Sequence, residues 1–319
     1  MRDYMIRRLL LGVVGLIGVS IAIFILMRIV PGDVALIVLK GPTGEGEATP
    51  QQVADMRHKL GIDRPMVVQY FTWVKNMATL DFGKSLATGD SVRSIMARRL
   101  PVTFELATLT MVFASVLAIA IGVICAVWQD TWVDYALRVF TIAGLAVPSF
   151  WAGTIVVLVL VIVFHWMPPV GFEPVWKDPV RNLKQIVWPA LALGLVYMGT
   201  ASRMTRSQML EVFRQDFVRT AFAKGLRERT VIYRHTLKNA LIPVITIMGI
   251  QYAFLLGGTV VMEQIFNLPG LGKTLLSAIG SRDYPVIQTL VMFFAVVILA
   301  ANLLVDLLYA VLDPRVRYG

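Results

Sequence analysis

Charge is scarce in this chain of 319 residues. Only 16% are Asp, Glu, Lys or Arg, where a soluble globular domain carries about 25%. The hydrophobic set makes up 57%, which leaves no water-facing exterior for a soluble fold and excludes a disordered chain. Cysteine is nearly absent. The single Cys125 excludes an internal disulfide framework and any multi-cysteine metal cage, and in its apolar run it reads as a small buried hydrophobe. Histidine is limited to His58, His165 and His235, far apart in sequence. Neither His-Glu-x-x-His nor Gly-x-Ser-x-Gly occurs, so the usual hydrolytic signatures are missing. Acidic residues are outnumbered, 20 against 30 Lys and Arg, for a net charge of +10. In a chain this apolar, such an excess belongs to basic cytoplasmic loops rather than to nucleic-acid binding.

What the sequence has is long apolar runs. A spanning helix needs about 20 mostly apolar residues, and six stretches qualify or nearly so. They run from about Leu9 to Val30, between Glu105 and Asp130 with an entry near Pro101, and between Arg138 and His165. A weaker one covers Ile186 to Ser202, followed by Asn239 to Met262 and Tyr284 to Tyr309. Backbone in lipid must bond to itself, so helices are expected, and the period-two alternation of a barrel is absent. The fold class is therefore an all-α membrane protein of six transmembrane helices. The first run is longer than a signal core and lacks a small-x-small cleavage site, so it reads as an uncleaved helix.

Basic residues orient the spans. Arg2, Arg7 and Arg8 precede the first helix and place the amino terminus in the cytoplasm. Six crossings return Arg315 and Arg317 to the same side. The loop between spans four and five then lies inside, with nine basic residues from Arg203 to Lys238 against Glu211, Asp216 and Glu228. Arg98 and Arg99 fall outside and run against the rule, at the end of a long loop where it has less force. The chain divides into residues 1–30 (cytoplasmic start and first span), 31–100 (extracytoplasmic loop), 101–310 (spans two to six, with an inner loop at 209–238) and 311–319 (cytoplasmic end).

The outer loop predicts its own helices. Thr49 is an N-cap, Pro50 sits at the first helical position, Gln52 completes a capping box and Gly61 suits the stop. A second helix follows Pro65, with Val67, Tyr70, Phe71, Val74 and Met77 on one face, and Asp90 caps a third reaching Leu100. The loop is either a small helical cap or a docking surface for an extracytoplasmic partner. In the inner loop, Asp216 caps a short helix through Phe217, Val218, Ala221, Phe222 and Ala223, closed by Gly225. Thr230 starts another helix that runs into span five. A basic amphipathic helix here rests on anionic lipid or docks on a protein.

Arg219-Thr220-Ala221-Phe222-Ala223-Lys224-Gly225-Leu226, followed by Arg234-His235-Thr236-Leu237-Lys238-Asn239-Ala240-Leu241-Ile242-Pro243, resembles the coupling loop of ABC importer permeases, in particular the dipeptide, oligopeptide and nickel branch. Arg28-Ile29-Val30-Pro31-Gly32-Asp33, Leu60-Gly61-Ile62-Asp63-Arg64-Pro65, Asp81-Phe82-Gly83-Lys84-Ser85, Arg203-Met204-Thr205-Arg206-Ser207 and Asp313-Pro314-Arg315 fit the same branch in order. Arg219-Thr220-Ala221 stands where the wider family has Glu-Ala-Ala, and Leu237-Lys238 stands for its Leu-Pro, departures that the peptide branch shares.

The resemblance implies a type I importer permease fold in the bacterial inner membrane. It also implies a subunit that is not itself an enzyme and that imports short peptides. Its partners would be a second homologous permease, two ATP-binding cassette ATPases that bind the ATP and Mg, a periplasmic solute-binding protein and membrane lipid, with no nucleic acid. No cofactor or metal is expected in this chain. The resemblance places Asp216, Phe217, Arg219, Thr220, Ala221, Phe222, Lys224 and Gly225 in the loop docked on an ATPase. It implies that Ala221 permits close approach, that Phe217 and Phe222 supply apolar contact, and that Arg219 and Lys224 pair with acidic groups or face lipid.

Nickel chelates, glutathione or another small solute are alternatives within that machinery. An ion-coupled carrier or a membrane scaffold are alternatives of another class. A carrier places ionisable groups at mid-membrane, and the candidates are Glu105 and Asp306, each near a predicted span end; Asn302 shares a helix face with Asp306, where interhelical hydrogen bonding is the simpler role. Leu271-Gly272-Lys273-Thr274 suggests a phosphate loop, but Asn267 stands where the motif requires Gly. Gly12, Gly15, Gly18 and the pair Gly257-Gly258 are expected to allow tight helix packing.

Overall fold

A computed structural model describes residues 2–29, 33–40, 48–167 and 171–312, with side chains for all of these except 2–5, 37, 40 and 304–312. The described residues are helical, apart from turns and one isolated bridge between Lys84 and Ser91. The helices are α1 (Arg2–Ile29), α2 (Val34–Lys40), α3 (Pro50–Leu60), α4 (Met66–Ala78), α5 (Val92–Val127), α6 (Trp132–Ala146), α7 (Ser149–Phe164) and α8 (Pro179–Phe213). Then follow α9 (Asp216–Ala223), α10 (Glu228–Thr230), a π-helical run Val231–Leu237, α11 (Lys238–Gly258), α12 (Val260–Ile265), α13 (Leu271–Ser281) and α14 (Tyr284–Leu312). Among the described residues five helices are long and apolar enough to cross a membrane, or six crossings if the bent pair α6–α7 counts as one.

The chain forms two units, residues 1–101 with 269–300, and residues 102–268 with 301–319. In the first unit α1 packs on α4. Phe24 meets the Tyr70 ring edge-on at 5.3 Å, Ser20 and Tyr70 share a hydrogen bond of 2.8 Å, and Arg28 lies 3.6 Å over the Phe24 ring. Val92, Leu271, Val286 and Leu290 are core residues of this unit. A Cβ at Gly12 would crowd the tip of the Leu299 side chain on α14. Gly15 and Gly18 face open space within this chain.

The capping box of α3 forms as its sequence predicts. The Thr49 side chain accepts from the Gln52 backbone N–H, Gln52 reaches back to Thr49, and Gly61 closes the helix at φ +67°. The inward face of α4 differs from the expected one. Tyr70, Trp73, Val74 and Met77 are partly covered, whereas Val67 and Phe71 are exposed. The expected third outer helix is the beginning of α5, which runs through Pro101 without a break. The Arg57 guanidinium donates to Asp33 (Nε to Oδ2, 3.0 Å), which holds that carboxyl below the usual carboxylate range.

In the second unit α8 lies against α6, α7 and α11. Its buried face includes Ile186, Ala190, Leu193 and Met198. A Cβ at Gly199 would come within 2.5 Å of Leu145, the close approach that small residues permit in lipid. The expected third span is broken. Val147 is extended ahead of Pro148, as a residue before proline prefers, and α6 and α7 meet at 105°.

Candidate functional site: the α8–α9 junction and the basic loop

Helix α9 is amphipathic because its apolar residues recur at helical spacing. Val218 and Ala221 are buried, packed in one cluster with Met209 and Val212 of α8 and with Val231 and Ile232 of the π-helical run. Phe217 and Phe222 are 41% and 48% exposed, and Asp216, Arg219, Thr220 and Lys224 are exposed beside them. The outward face thus holds two aromatic rings among charged groups. Ala221 sits on the inward face and serves the packing of this chain.

The N-cap of α9 is Gln215, and Asp216 is the first helical residue. Asp216 lies 3.5 Å from Arg219 one turn on, with both side chains exposed. Its carbonyl accepts from the Thr220 hydroxyl at 2.8 Å. Gly225 ends the segment at φ +73°, its N–H donating to the Phe222 carbonyl, while the Leu226 N–H reaches Ala221. A left-handed residue is what a helix stop of this kind requires, and glycine takes it without steric cost. The following helix begins at Glu228, ahead of the expected Thr230.

Beneath the junction, Asp134 of α6 is fully buried and accepts from Arg206 of α8 through both oxygens, at 3.0 and 2.7 Å. Arg138 stands 3.3 Å from the same carboxylate, and the Asp130 N–H donates to it. Sequence reading missed this cluster. Its local signal was the Asp134–Arg138 spacing of four, but the decisive partner lies 72 residues away.

The other polar candidates do not converge. Glu105 is half-buried and accepts from the Asn182 amide at 3.2 Å. Asn302 is exposed, and the Asp306 side chain lies outside the described residues. Glu263 is fully buried and accepts from the Thr103 and Thr259 hydroxyls. His58 pairs with Asp63 at 2.7 Å, and His165 ends α7. Among the described residues no three His, Cys, Asp or Glu gather as metal ligands. Gly272, Lys273 and Thr274 occupy the first turn of α13, with no strand ahead of them.

Residues 118–318 match the family model of binding-protein-dependent transport system inner membrane components, and residues 1–107 match the model of the N-terminal part of such membrane components. The chain belongs to this family. It is an integral membrane permease component of a transport system. A Brucella abortus protein described as a peptide transport system permease is 39% identical over 318 residues. The dipeptide transport system permease protein of Alkalihalophilus pseudofirmus is 38% identical over 339 residues, and the glutathione transport system permease protein of Escherichia coli 36% over 318. All three similarities cover the whole of this chain and of the relative.

Proposed function

We propose that this permease imports short peptides across the bacterial inner membrane as one of two homologous membrane subunits. Two ATPases drive it from the cytoplasm, and a periplasmic binding protein delivers the substrate. Both chain ends and the α9 loop lie on the cytoplasmic side. The observation that carries the coupling role is the outward face of α9. Phe217 and Phe222 are left uncovered on a helix whose other side is locked to α8. An apolar anchor within a charged rim suits a protein cleft. A rigid connection through Val218, Ala221 and Met209 suits a lever that turns ATPase closure into movement of α8. Coupling requires that this interface differ between two states of the complex.

Full-length similarity to permeases named for peptide and dipeptide transport supports the substrate class. The relative named for glutathione transport supports a second reading in which the cargo is that tripeptide derivative. The test is affinity purification of the tagged chain in mild detergent, followed by reconstitution. A second permease and ATPases are expected to co-purify, and ATP is expected to drive uptake of alanyl-alanine. Uptake by the chain alone that collapses with the proton gradient would overturn the ATP-coupled reading.

A further inference from the structure

A groove of about 590 Å³ opens on the second unit where α5 ends and α6 begins. Ile124 and Trp128 line it from α5 and the turn that follows, Trp132, Ala136 and Leu137 from α6, and Ile232 and Tyr233 from the π-helical run. Its lining contains no charged side chain among the described residues, and only the two indoles and the phenol bring polar side-chain atoms. The size is that of a small-molecule site.

The rim is left open. Trp128 and Tyr233 are each 54% exposed and Trp132 is 79% exposed. Aromatic groups with an apolar body and a polar tip settle at the boundary between hydrocarbon and water. The groove stands at the end of the unit that carries the basic loop, because Ile232 and Tyr233 belong to that loop. An apolar floor under an amphipathic rim matches the profile of a lipid, whose tail is apolar and whose head is wet.

Charge selects the kind of lipid. Arg227, Arg229 and Arg234 are exposed beside the π-helical lining residues, and the Arg229 guanidinium lies 6.0 Å from the Tyr233 ring centre. Against them stand Asp130, in the turn after Trp128, and Glu228. On α6, Asp134 is already held by Arg206 through both oxygens, and Arg138 adds a second cation to that one carboxylate. Positive charge is therefore in excess around an uncharged groove. Basic pockets between spans on the cytoplasmic side favour anionic headgroups.

We propose that this groove holds an acyl chain of one anionic phospholipid from the surrounding bilayer, with the headgroup phosphate drawn to Arg229 above the Tyr233 ring. The lipid bears on Ile232 and Tyr233, which join the α9 loop to α11, and so braces the segment through which the loop enters the membrane. The inference rests on the cytoplasmic placement of that loop and is independent of the cargo.

The test uses the whole complex, stripped of lipid in mild detergent. Dioleoyl phosphatidylglycerol or dioleoyl phosphatidylcholine is titrated back and counted by native mass spectrometry. One phosphatidylglycerol is expected to bind at least ~10-fold more tightly than phosphatidylcholine, because only the first carries a net negative charge for the guanidinium groups. Ala136 is exposed within the groove. Ala136→Trp fills the space without entering the core and is expected to abolish the tight site. Arg229→Gln is expected to weaken it about 5-fold, the worth of one basic residue near an anionic surface.

Equal affinity for the two lipids, or wild-type phosphatidylglycerol affinity in either variant, would overturn the site. Loss of the second permease subunit from the Ala136→Trp complex would assign the groove to that subunit and overturn the lipid. ATP-driven uptake of alanyl-alanine, measured in parallel, tests the transport function separately, since a failure of either leaves the other standing.

Discussion

Asp134 and Arg206 form a two-pronged ion pair between α6 and α8, with the guanidinium Nε 3.0 Å from one carboxylate oxygen and an Nη 2.7 Å from the other. Asp134 is fully buried, so its charge has no recourse to water. Removing one partner of such a pair costs about 3–5 kcal/mol, because the other is left unpaired. Arg206→Ala is expected at the lower end, since Arg138 remains 3.3 Å from the carboxylate. Thermal unfolding in detergent, followed by size exclusion, measures it. A melting temperature equal to that of the parent would show that the pair adds nothing.

Gly225 presents a purely conformational problem. Its φ is +73°, and a Cβ there would meet nothing within 4 Å. The left-handed conformation costs an L-residue about 1–2 kcal/mol, least for Asn. Gly225→Asn is therefore expected to transport normally, and Gly225→Val to lose ATP-coupled uptake or ATPase co-purification. Equal uptake by both variants would refute the role of this helix stop.

At Ala221 the obstacle is volume. The residue is 5% exposed, within the cluster that ties α9 to α8. Ala221→Leu is expected to cost about 1–3 kcal/mol by overpacking and to lower stability together with coupling. Phe222→Ala, on the exposed face, is expected to spare stability and weaken ATPase retention. Melting curves and ATPase pull-downs on the two variants separate the effects.

The Asp33–Arg57 pair predicts a response to acid. The Asp33 pKa is lowered in the folded protein, first by the hydrogen bond from Arg57. A depressed carboxylate contributes stability that is fully present above its unfolded value of about 3.9 and is lost as pH falls through the lower folded value. Arg57 is half exposed, so the contribution stays within about 1 kcal/mol. Asp33→Asn is expected to remove this part of the decline in melting temperature as pH falls below about 4, the unfolded carboxylate value. An unchanged acid slope would refute it.

Gly12 and Gly15 offer a matched pair. Gly12→Ala drives a methyl group into Leu299, whereas Gly15→Ala meets open space. The first is expected to destabilise the α1–α14 contact and to be rescued by Leu299→Ala. The second is expected to be neutral or slightly stabilising, because Ala is the better helix former. Melting temperatures of the three variants test this.

The apolar stretches were legible because crossing a bilayer is a question of length and composition, and both are local. The Thr49–Gln52 capping box was legible because a cap is made by neighbours. Direction was not legible. Pro101, Pro148, Pro189 and Pro243 all lie in apolar sequence, yet only Pro148 coincides with the corner, where Val147 gives up helical geometry. The inward side of α9 was ambiguous for another reason, since Val218–Ala221 and Phe217–Phe222 both offer apolar faces. Nor did local pattern join Asp134 to Arg206, or Ser20 to Tyr70. Those meetings are made by the tertiary fold.

The corner at Val147 and Pro148 carries the parity of the whole topology. Two rods at 105° cannot both follow the bilayer normal. At 15 and 16 residues they are about 22 and 24 Å long, each short of a hydrocarbon core about 30 Å thick. Counted as one span, the two together make a single passage with the turn inside the lipid. The backbone there is suited to dryness. The Val147 N–H donates to Ala143, the Pro148 carbonyl accepts from Ala152, and proline has no N–H to leave bare. Whether this stretch crosses the bilayer once depends on two residues that turn a helix without exposing a donor.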